Sequence, residues 1–247
     1  MKNILVPIGS TENSINTLQY AIDFASEIGA NIFALRAYKV QSKAGTIIDV
    51  TSIVERESNL YLRSMINAVN RRGKDIQLIS AKGNVVDSIV SIDQEIGIDL
   101  IVMGPRSNSI KEEVFLGSTS GSVVKQSNIP VLIVPESYAF KPFTAILTAF
   151  KTGVVNKKNA LAPLQFFKEK FNPVVNLLLL SLKSSLTITE NATTFQGVLE
   201  HFQSHNPDLL CVFRRKRGFF QKLWEKNTIL KKEFHCSIPL LVLGGKQ

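Results

Sequence analysis

Residues 94–132 read QEIGIDLIVMGPRSNSIKEEVFLGSTSGSVVKQSNIPVL, and residues 203–241 read QSHNPDLLCVFRRKRGFFQKLWEKNTILKKEFHCSIPLL, a match at a constant offset of 109 without a gap. Gln94 meets Gln203, Asp99 meets Asp208, Leu100 meets Leu209, Ile129 meets Ile238, Pro130 meets Pro239 and Leu132 meets Leu241. The apolar strand positions coincide, so both stretches are expected to adopt one fold. The differences fall in the loop between them. Gly104 becomes Phe213, Gly117 becomes Lys226 and Ser118 becomes Asn227. Glycine lets backbone come close to a phosphate, whereas side chains at the same places fill that space. Two related domains are expected, and only the first keeps a candidate ligand loop.

Upstream, residues 2–8 (KNILVPI) form a short apolar run ended by Gly9, Ser10 and Thr11, which predicts a buried strand and a turn. A helix is expected from about Ser14 to Ile28, with Leu18, Ala21, Ile22 and Ala25 on one face and Gly29 as its C-terminal stop. Residues 31–38 follow as a second strand and 39–50 as a loop. A long helix over 51–71 takes Ile53, Leu60, Leu62, Ile66 and Val69 as its apolar positions and is closed by Gly73. After a third strand near 75–81, Asn84 is the expected N-cap of a helix running to about Gly97. Residues 99–103 and 129–134 are strands four and five, with a helix over 118–127 between them. Apolar strands alternating with helices predict an α/β fold with an open parallel sheet covered on both faces.

The second domain matches the front of the first at another offset: Ile4 pairs with Ile146 and Leu5 with Leu147, 142 positions on. The offsets differ by 142 − 109 = 33 residues, all missing between strands two and four. That is about the size of the loop and helix at 39–71. Domain 1–140 is therefore expected to be complete, and domain 141–247 to lack its second helix. A parallel neighbour needs a crossover of roughly a dozen residues or more. Residues 181–185 are too few, so 186–190 should be an antiparallel edge strand or no strand. The fifth strands, 129–134 and 238–243, would be bare edges, and they are expected to pair the two domains about a pseudo-twofold axis.

The 247 residues are 45% hydrophobic, ample for a core in each half. No apolar run approaches the ~18–20 residues that span a bilayer, and the N-terminal apolar stretch is too short for a signal peptide. A cytoplasmic protein is the expectation. Cys211 and Cys236 show no paired or metal-like spacing and read as reduced structural thiols; His201, His205 and His235 show no ligand pattern. The net charge of +9 is uneven: residues 1–142 carry 14 basic and 14 acidic side chains, residues 143–247 carry 15 and 6. That excess could draw nucleic acid, anionic lipid or an acidic partner. Phe219, Phe220 and Trp224 interleave with the basic run at 214–217 and could stack on bases. A solvated basic helix with its aromatics packed inward is the favoured reading, which disfavours nucleic acid. A homodimer stays open.

Ligands of open parallel sheets sit beyond the carboxyl ends of the strands, where the strand order reverses. Here that edge carries Pro7, Ile8 and Gly9, then Ala37 and Tyr38, then Met103, Gly104, Pro105, Arg106 and Ser107, then Gly117, Ser118, Thr119 and Ser120. The last four open a helix, whose free N–H groups and dipole favour an anion, with three hydroxyls beside them. Arg106 supplies a cation able to balance a phosphate. An ordinary Gly-Ser helix entry that binds nothing stands as the competing reading. Neither a Ser-His-Asp set, nor paired carboxylates, nor a metal cluster is present in the sequence pattern, so no catalytic residues are expected.

The loop Gly104-Pro105-Arg106-Ser107, nine residues from Asn108 to Leu116, then Gly117-Ser118 resembles the motif of ATP-binding universal stress proteins: Gly-x-x-Gly, nine residues, Gly-Ser/Thr. Ser107 stands at the second glycine. The opening ILVPIGSTENS and the IPVLIVP ending resemble that family too, but Gly9 replaces an Asp that contacts the nucleoside end of the ligand. The likeness spans 1–136 well and 143–243 more loosely. It implies a five-stranded, adenine nucleotide alpha hydrolase-like sheet, and a tandem pair with the second copy degenerate. It further implies a non-catalytic or barely catalytic stress-response module binding ATP or a related adenine nucleotide, with Mg accompanying it; an ATP-hydrolysing enzyme is the least favoured reading, since the motif holds no candidate general base. The alternative is a nucleotide-independent scaffold acting through the basic second domain.

Overall fold

The run Asn3–Pro7 forms strand β1, and Ile4, Leu5 and Val6 within it are fully buried. Both of its faces are covered, as a strand inside a parallel sheet requires. The computed structural model describes residues 1–10, 13–40, 51–105, 118–151, 161–180, 206–213 and 238–244. β1 is flanked by β2 (Asn31–Tyr38) and β4 (Leu100–Met103), with β3 (Ile76–Lys82) outside β2 and β5 (Val131–Ile133) outside β4. Helices α1 (Asn13–Ile28) and α2 (Thr51–Asn67) pack on one face, and α3 (Val85–Ile96) and α4 (Ser118–Gln126) on the other. The Asn84 side chain accepts the Asp87 N–H at 2.9 Å, the expected cap of α3.

The remaining elements are β6 (Ala145–Lys151), α5 (Ala162–Phe171), β7 (Val174–Leu180), β8 (Leu209–Phe213) and β9 (Leu240–Leu243). All nine strands form one sheet in the order β3-β2-β1-β4-β5-β9-β8-β6-β7. Every neighbouring pair is parallel except β5 with β9, which run antiparallel. In that pair Val131 faces Val242, Leu132 faces Leu241 and Ile133 faces Leu240. Leu132 and Leu241 are also partners in the 109-residue repeat, so a local twofold axis passes between them. Stretches 129–134 and 238–243 therefore do meet, and through fewer residues than the sequence suggests.

Hydrogen bonds repeat along with the strands. Asp99 Oδ2 accepts the N–H groups of Lys2 and Asn3 at 2.5 and 3.0 Å, and Asp208 Oδ2 accepts those of Thr144 and Ala145 at 2.8 and 3.1 Å. Asn31 N–H donates to Lys2 O, and Val174 N–H to Thr144 O. Gly29 (φ 76°) stops α1, and Asn172 (φ 47°) stops α5. These last pairs are 143 apart, not 142, so one residue is inserted before the ends of the matching helices. Asn31 and Asp99 are 68 positions apart, Val174 and Asp208 only 34. The deficit is thus 34 residues rather than 33.

An aromatic cluster that sequence periodicity does not reveal joins the two halves. Phe24 of α1 meets Phe167 of α5 edge-on, with ring centroids 5.7 Å apart, and Tyr20, Phe140, Phe143 and Phe171 surround them. Phe24 and Phe167 are again 143 apart, so the cluster straddles the same axis.

α2 departs from expectation in two ways. It ends at Asn67 rather than 71, because the Gln19 amide takes both the N–H and the carbonyl of Asn70. Its buried stripe is Ser58, Leu62, Met65 and Ile66, whereas Ile53 and Leu60 are more than half exposed. Leu60 lies two residues from Ser58, about 200° round the helix, and so points to solvent. Ser58 is buried because its hydroxyl meets that of Ser80 at 2.9 Å. The expectations for 186–190, for the basic run with Phe219, Phe220 and Trp224, for Cys236 and for His201, His205 and His235 lie outside the described residues. Among the described residues, no helix is long and apolar enough to cross a membrane.

Candidate functional site

β1 and β4 are neighbours in the sheet, but β1 leads into α1 on one face while β4 leads toward α4 on the other. That divergence is the topological switch point, beyond the carboxyl ends of the strands, where open α/β sheets hold their ligand crevice. Pro7 ends β1, and the Ile8 N–H continues toward β2 by donating to Leu35 O at 2.7 Å. Gly9 is exposed at the rim. Its N–H donates to Ser14 Oγ at 3.1 Å, and its carbonyl accepts the Tyr61 hydroxyl at 2.9 Å. Ala37 and Tyr38 end β2; Met103, almost fully buried, ends β4.

On the other side, Ser118 opens α4. Ser118 and Thr119 are exposed, while Ser120 is buried and donates its hydroxyl to Gly104 O at 2.8 Å. This bond fastens the first turn of α4 to the end of β4. It also uses the Ser120 proton, so of the three hydroxyls only those of Ser118 and Thr119 stand at the surface. Arg106, Ser107 and Gly117 lie outside the described residues. The structure thus brings together Pro7, Ile8, Gly9, Ala37, Met103, Gly104, Ser118, Thr119 and Ser120 along one edge of the sheet.

Gly104 answers first to its neighbours. A Cβ there would sit 2.9 Å from Asn13 Nδ2 and 3.2 Å from Thr17 Oγ1, closer than real Cβ contacts normally come. The absent side chain lets α1 dock against β4. Asn13 Oδ1 is buried without a hydrogen-bond partner among the described residues, an acceptor at the wall of the crevice that wants a donor.

Four residues at this edge escape sequence reasoning: Asn13, Ser14, Arg36 and Tyr61. The Arg36 guanidinium carbon lies 3.8 Å from the centre of the Tyr61 ring, a cation–π contact. Behind it Ser80 Oγ bonds Asn59 Oδ1 at 2.9 Å. The Tyr38 phenol is pushed up, first by partial desolvation and then by the Glu55 carboxylate. Tyr61 carries no local signal, because its partner Gly9 is 52 residues away. Among the described residues, no three His, Cys, Asp or Glu side chains gather as a metal site.

At the matching edge of the second half, Phe213 is buried in the core, so the place of Gly104 is filled by a ring. Cys211 beneath it is fully buried, and burial pushes its thiol up to about 12. Thr148, whose hydroxyl reaches no good hydrogen-bond geometry, opposes this only weakly.

The model of the universal stress protein family matches residues 1–135, more than half of the chain. The chain belongs to the universal stress protein family. A universal stress protein of Methanocaldococcus jannaschii is 25% identical over 138 residues, covering 54% of this chain and 81% of the relative. The universal stress protein YxiE of Bacillus subtilis is 28% identical over 143 residues, covering 53% of this chain and 97% of the relative. A universal stress protein structure from Archaeoglobus fulgidus superposes with a TM-score of 0.71 at 17% identity, covering 99% of this chain and 98% of the other. That last likeness shows the fold, across both halves of the sheet.

Proposed function

We propose that this chain is a tandem universal stress protein, a stress-response module in which domain 1–140 binds ATP or a related adenine nucleotide and domain 141–247 is a degenerate copy. The tandem reading is supported by the recurrence of the Asp99 hydrogen bonds at Asp208 and by the local axis between Leu132 and Leu241. The nucleotide reading rests on one observation. The first turn of α4, pinned to β4 by Ser120, presents the Ser118 and Thr119 hydroxyls at the same strand ends that carry Gly9 and Gly104.

The residues present fit such a ligand. Phosphates belong at the start of α4, where the dipole and the exposed hydroxyls favour negative charge, with Mg²⁺ as their counterion. The nucleoside then lies back over Gly9 toward Ala37. Two strand spacings separate β4 from β2, about 10 Å, a span that suits a nucleotide. Asn13 Oδ1 offers an acceptor on the way. The module binds rather than catalyses, and its setting is the cytoplasm.

A specific observation favours the second reading, a scaffold without nucleotide: Gly104 is explained by its contact with Asn13 and Thr17 alone. The test is extraction and mass analysis of nucleotide from the purified protein, followed by calorimetry with ATP on the stripped protein. One site per chain, lost in Gly117→Lys, is the expected result. Two equivalent sites, or a site that survives this substitution, would overturn the reading. No bound nucleotide and no heat would leave the scaffold.

A further inference from the structure

Beside Gly9, where the family resemblance puts a carboxylate toward the nucleoside end of a ligand, the neighbouring strand carries a cation. Gly9, at the tip of β1, has no side chain to offer. Beside it, β1 and β2 run in register with Pro7 opposite Leu35, so the next residue of β2, Arg36, lies level with Ile8. Strand alternation sends Arg36 to the same face as Ile8 and Tyr61, all on the α1–α2 side of the sheet. Tyr61 bridges the two places, its hydroxyl on Gly9 O at 2.9 Å and its ring 3.8 Å from the Arg36 guanidinium.

This guanidinium makes no ion pair among the described residues; the two ion pairs recorded there join Arg72 with Asp23 and Lys141 with Asp208. Glu55, the carboxylate felt on this edge, acts on Tyr38. Stacking on Tyr61 restrains the guanidinium plane, and among the described residues its charge and its N–H fork are unspent; such a fork matches a phosphate. In dinucleotide sites the same exchange sets the ligand: a carboxylate takes a ribose hydroxyl, whereas a nearby Arg accommodates a phosphate there.

We infer that Arg36, held by Tyr61 beside Gly9, selects adenine nucleotides that carry a second phosphate on the ribose, at the 2′ or 3′ position. This rests on the nucleotide reading above, and the phosphate on the ribose would sit at β2 while the 5′-phosphate sits at α4. Arg36 is here a specificity residue, not a catalytic one.

The test is calorimetry at fixed ionic strength with AMP, ADP, adenosine 2′,5′-bisphosphate and adenosine 3′,5′-bisphosphate. One charge-assisted contact predicts that one bisphosphate binds about tenfold or more tighter than AMP. In Arg36→Gln that preference should fall to near unity, while the ratio of ADP to AMP, which reports the other end, stays as in the wild type. Arg36→Met, which keeps an apolar stem on Tyr61, serves if the glutamine variant loses its circular dichroism spectrum. Tyr61→Phe keeps the stack and should keep the preference. The two bisphosphates tell the 2′ from the 3′ position. Bisphosphates binding no better than AMP, a preference that survives loss of the Arg36 charge, or an equal loss for all four ligands would each overturn the inference. If none of the four binds, the nucleotide reading itself falls with it; if AMP and ADP bind without a bisphosphate preference, only this inference falls.

Discussion

Replacing Asp208 by Asn should destabilise the protein at neutral pH and progressively less in acid. Asp208 is buried at the start of β8, yet its carboxyl is held down at about 2 from an ordinary 3.8. Desolvation pushes it upward, and four contacts together outweigh that: Lys141, the Thr144 hydroxyl and the N–H groups of Thr144 and Ala145. The Lys141 ammonium lies 2.6 Å from Oδ1, and the Thr144 hydroxyl 2.5 Å from Oδ2. A shift from 3.8 to about 2 corresponds to about 2.4 kcal/mol of folded-state preference for the carboxylate. Because the folded-state value is the lower one, this stabilisation is complete above about pH 5 and fades as pH falls from about 4 to about 2. In a chain of this size such a loss lowers Tm by about 5–10 °C. Urea unfolding of wild type and Asp208→Asn at pH 7, 5, 4, 3 and 2.5 measures it. The gap should be widest at pH 7 and shrink to about a third of that at pH 2.5. Lys141 is 60% exposed, so Lys141→Gln should cost less than about 1 kcal/mol. A gap below about 0.5 kcal/mol at pH 7, or one that does not change with pH, would refute the reasoning.

Gly104→Ala forces Asn13 and Thr17 to move and should cost about 1–3 kcal/mol, read as a lower Tm. No change would mean that α1 yields freely at its start. Leu132→Ala empties a fully buried position on the local axis and should cost about 2–5 kcal/mol by denaturant unfolding, with Leu241→Ala similar. A much smaller loss at either site would show that β5 and β9 are loosely joined. Cys211, buried with its thiol pushed up to about 12, should resist iodoacetamide at pH 8 in the native protein and react in urea, as peptide mass mapping would show. Rapid native labelling would contradict the packing around it.

The strands were legible because their signal is local. Apolar runs such as residues 4–6 and 100–103 are buried on both faces, and no other element tolerates that in so short a length. The 109-residue repeat carried β8 and β9 with it and placed the contact between the two halves. What stayed hidden depends on partners distant in sequence. Ser58 is buried because of Ser80, the end of α2 is set by Gln19, and Tyr61 reaches Gly9 across two elements. Ile53 and Leu60 misled for the opposite reason: they are apolar but lie off the stripe facing the sheet. In the candidate site, the crevice edge could be listed from topology alone. The work done by Gly104 could not, because it is a contact with the start of α1 rather than a property of the loop.

The axis between Leu132 and Leu241 lies within a single polypeptide. In a symmetric pair of separate chains every substitution arrives twice, and a ring that closed one crevice would close both. Here one gene writes each side independently. Phe213 could enter one side while Gly104 stayed in the other, at no cost to the strand pairing that holds them together. Assembly is also freed from dilution, since the partner edge is always present at the concentration set by the connecting chain rather than by expression level. The two sides of the axis are free to differ, as Gly104 and the buried Phe213 do.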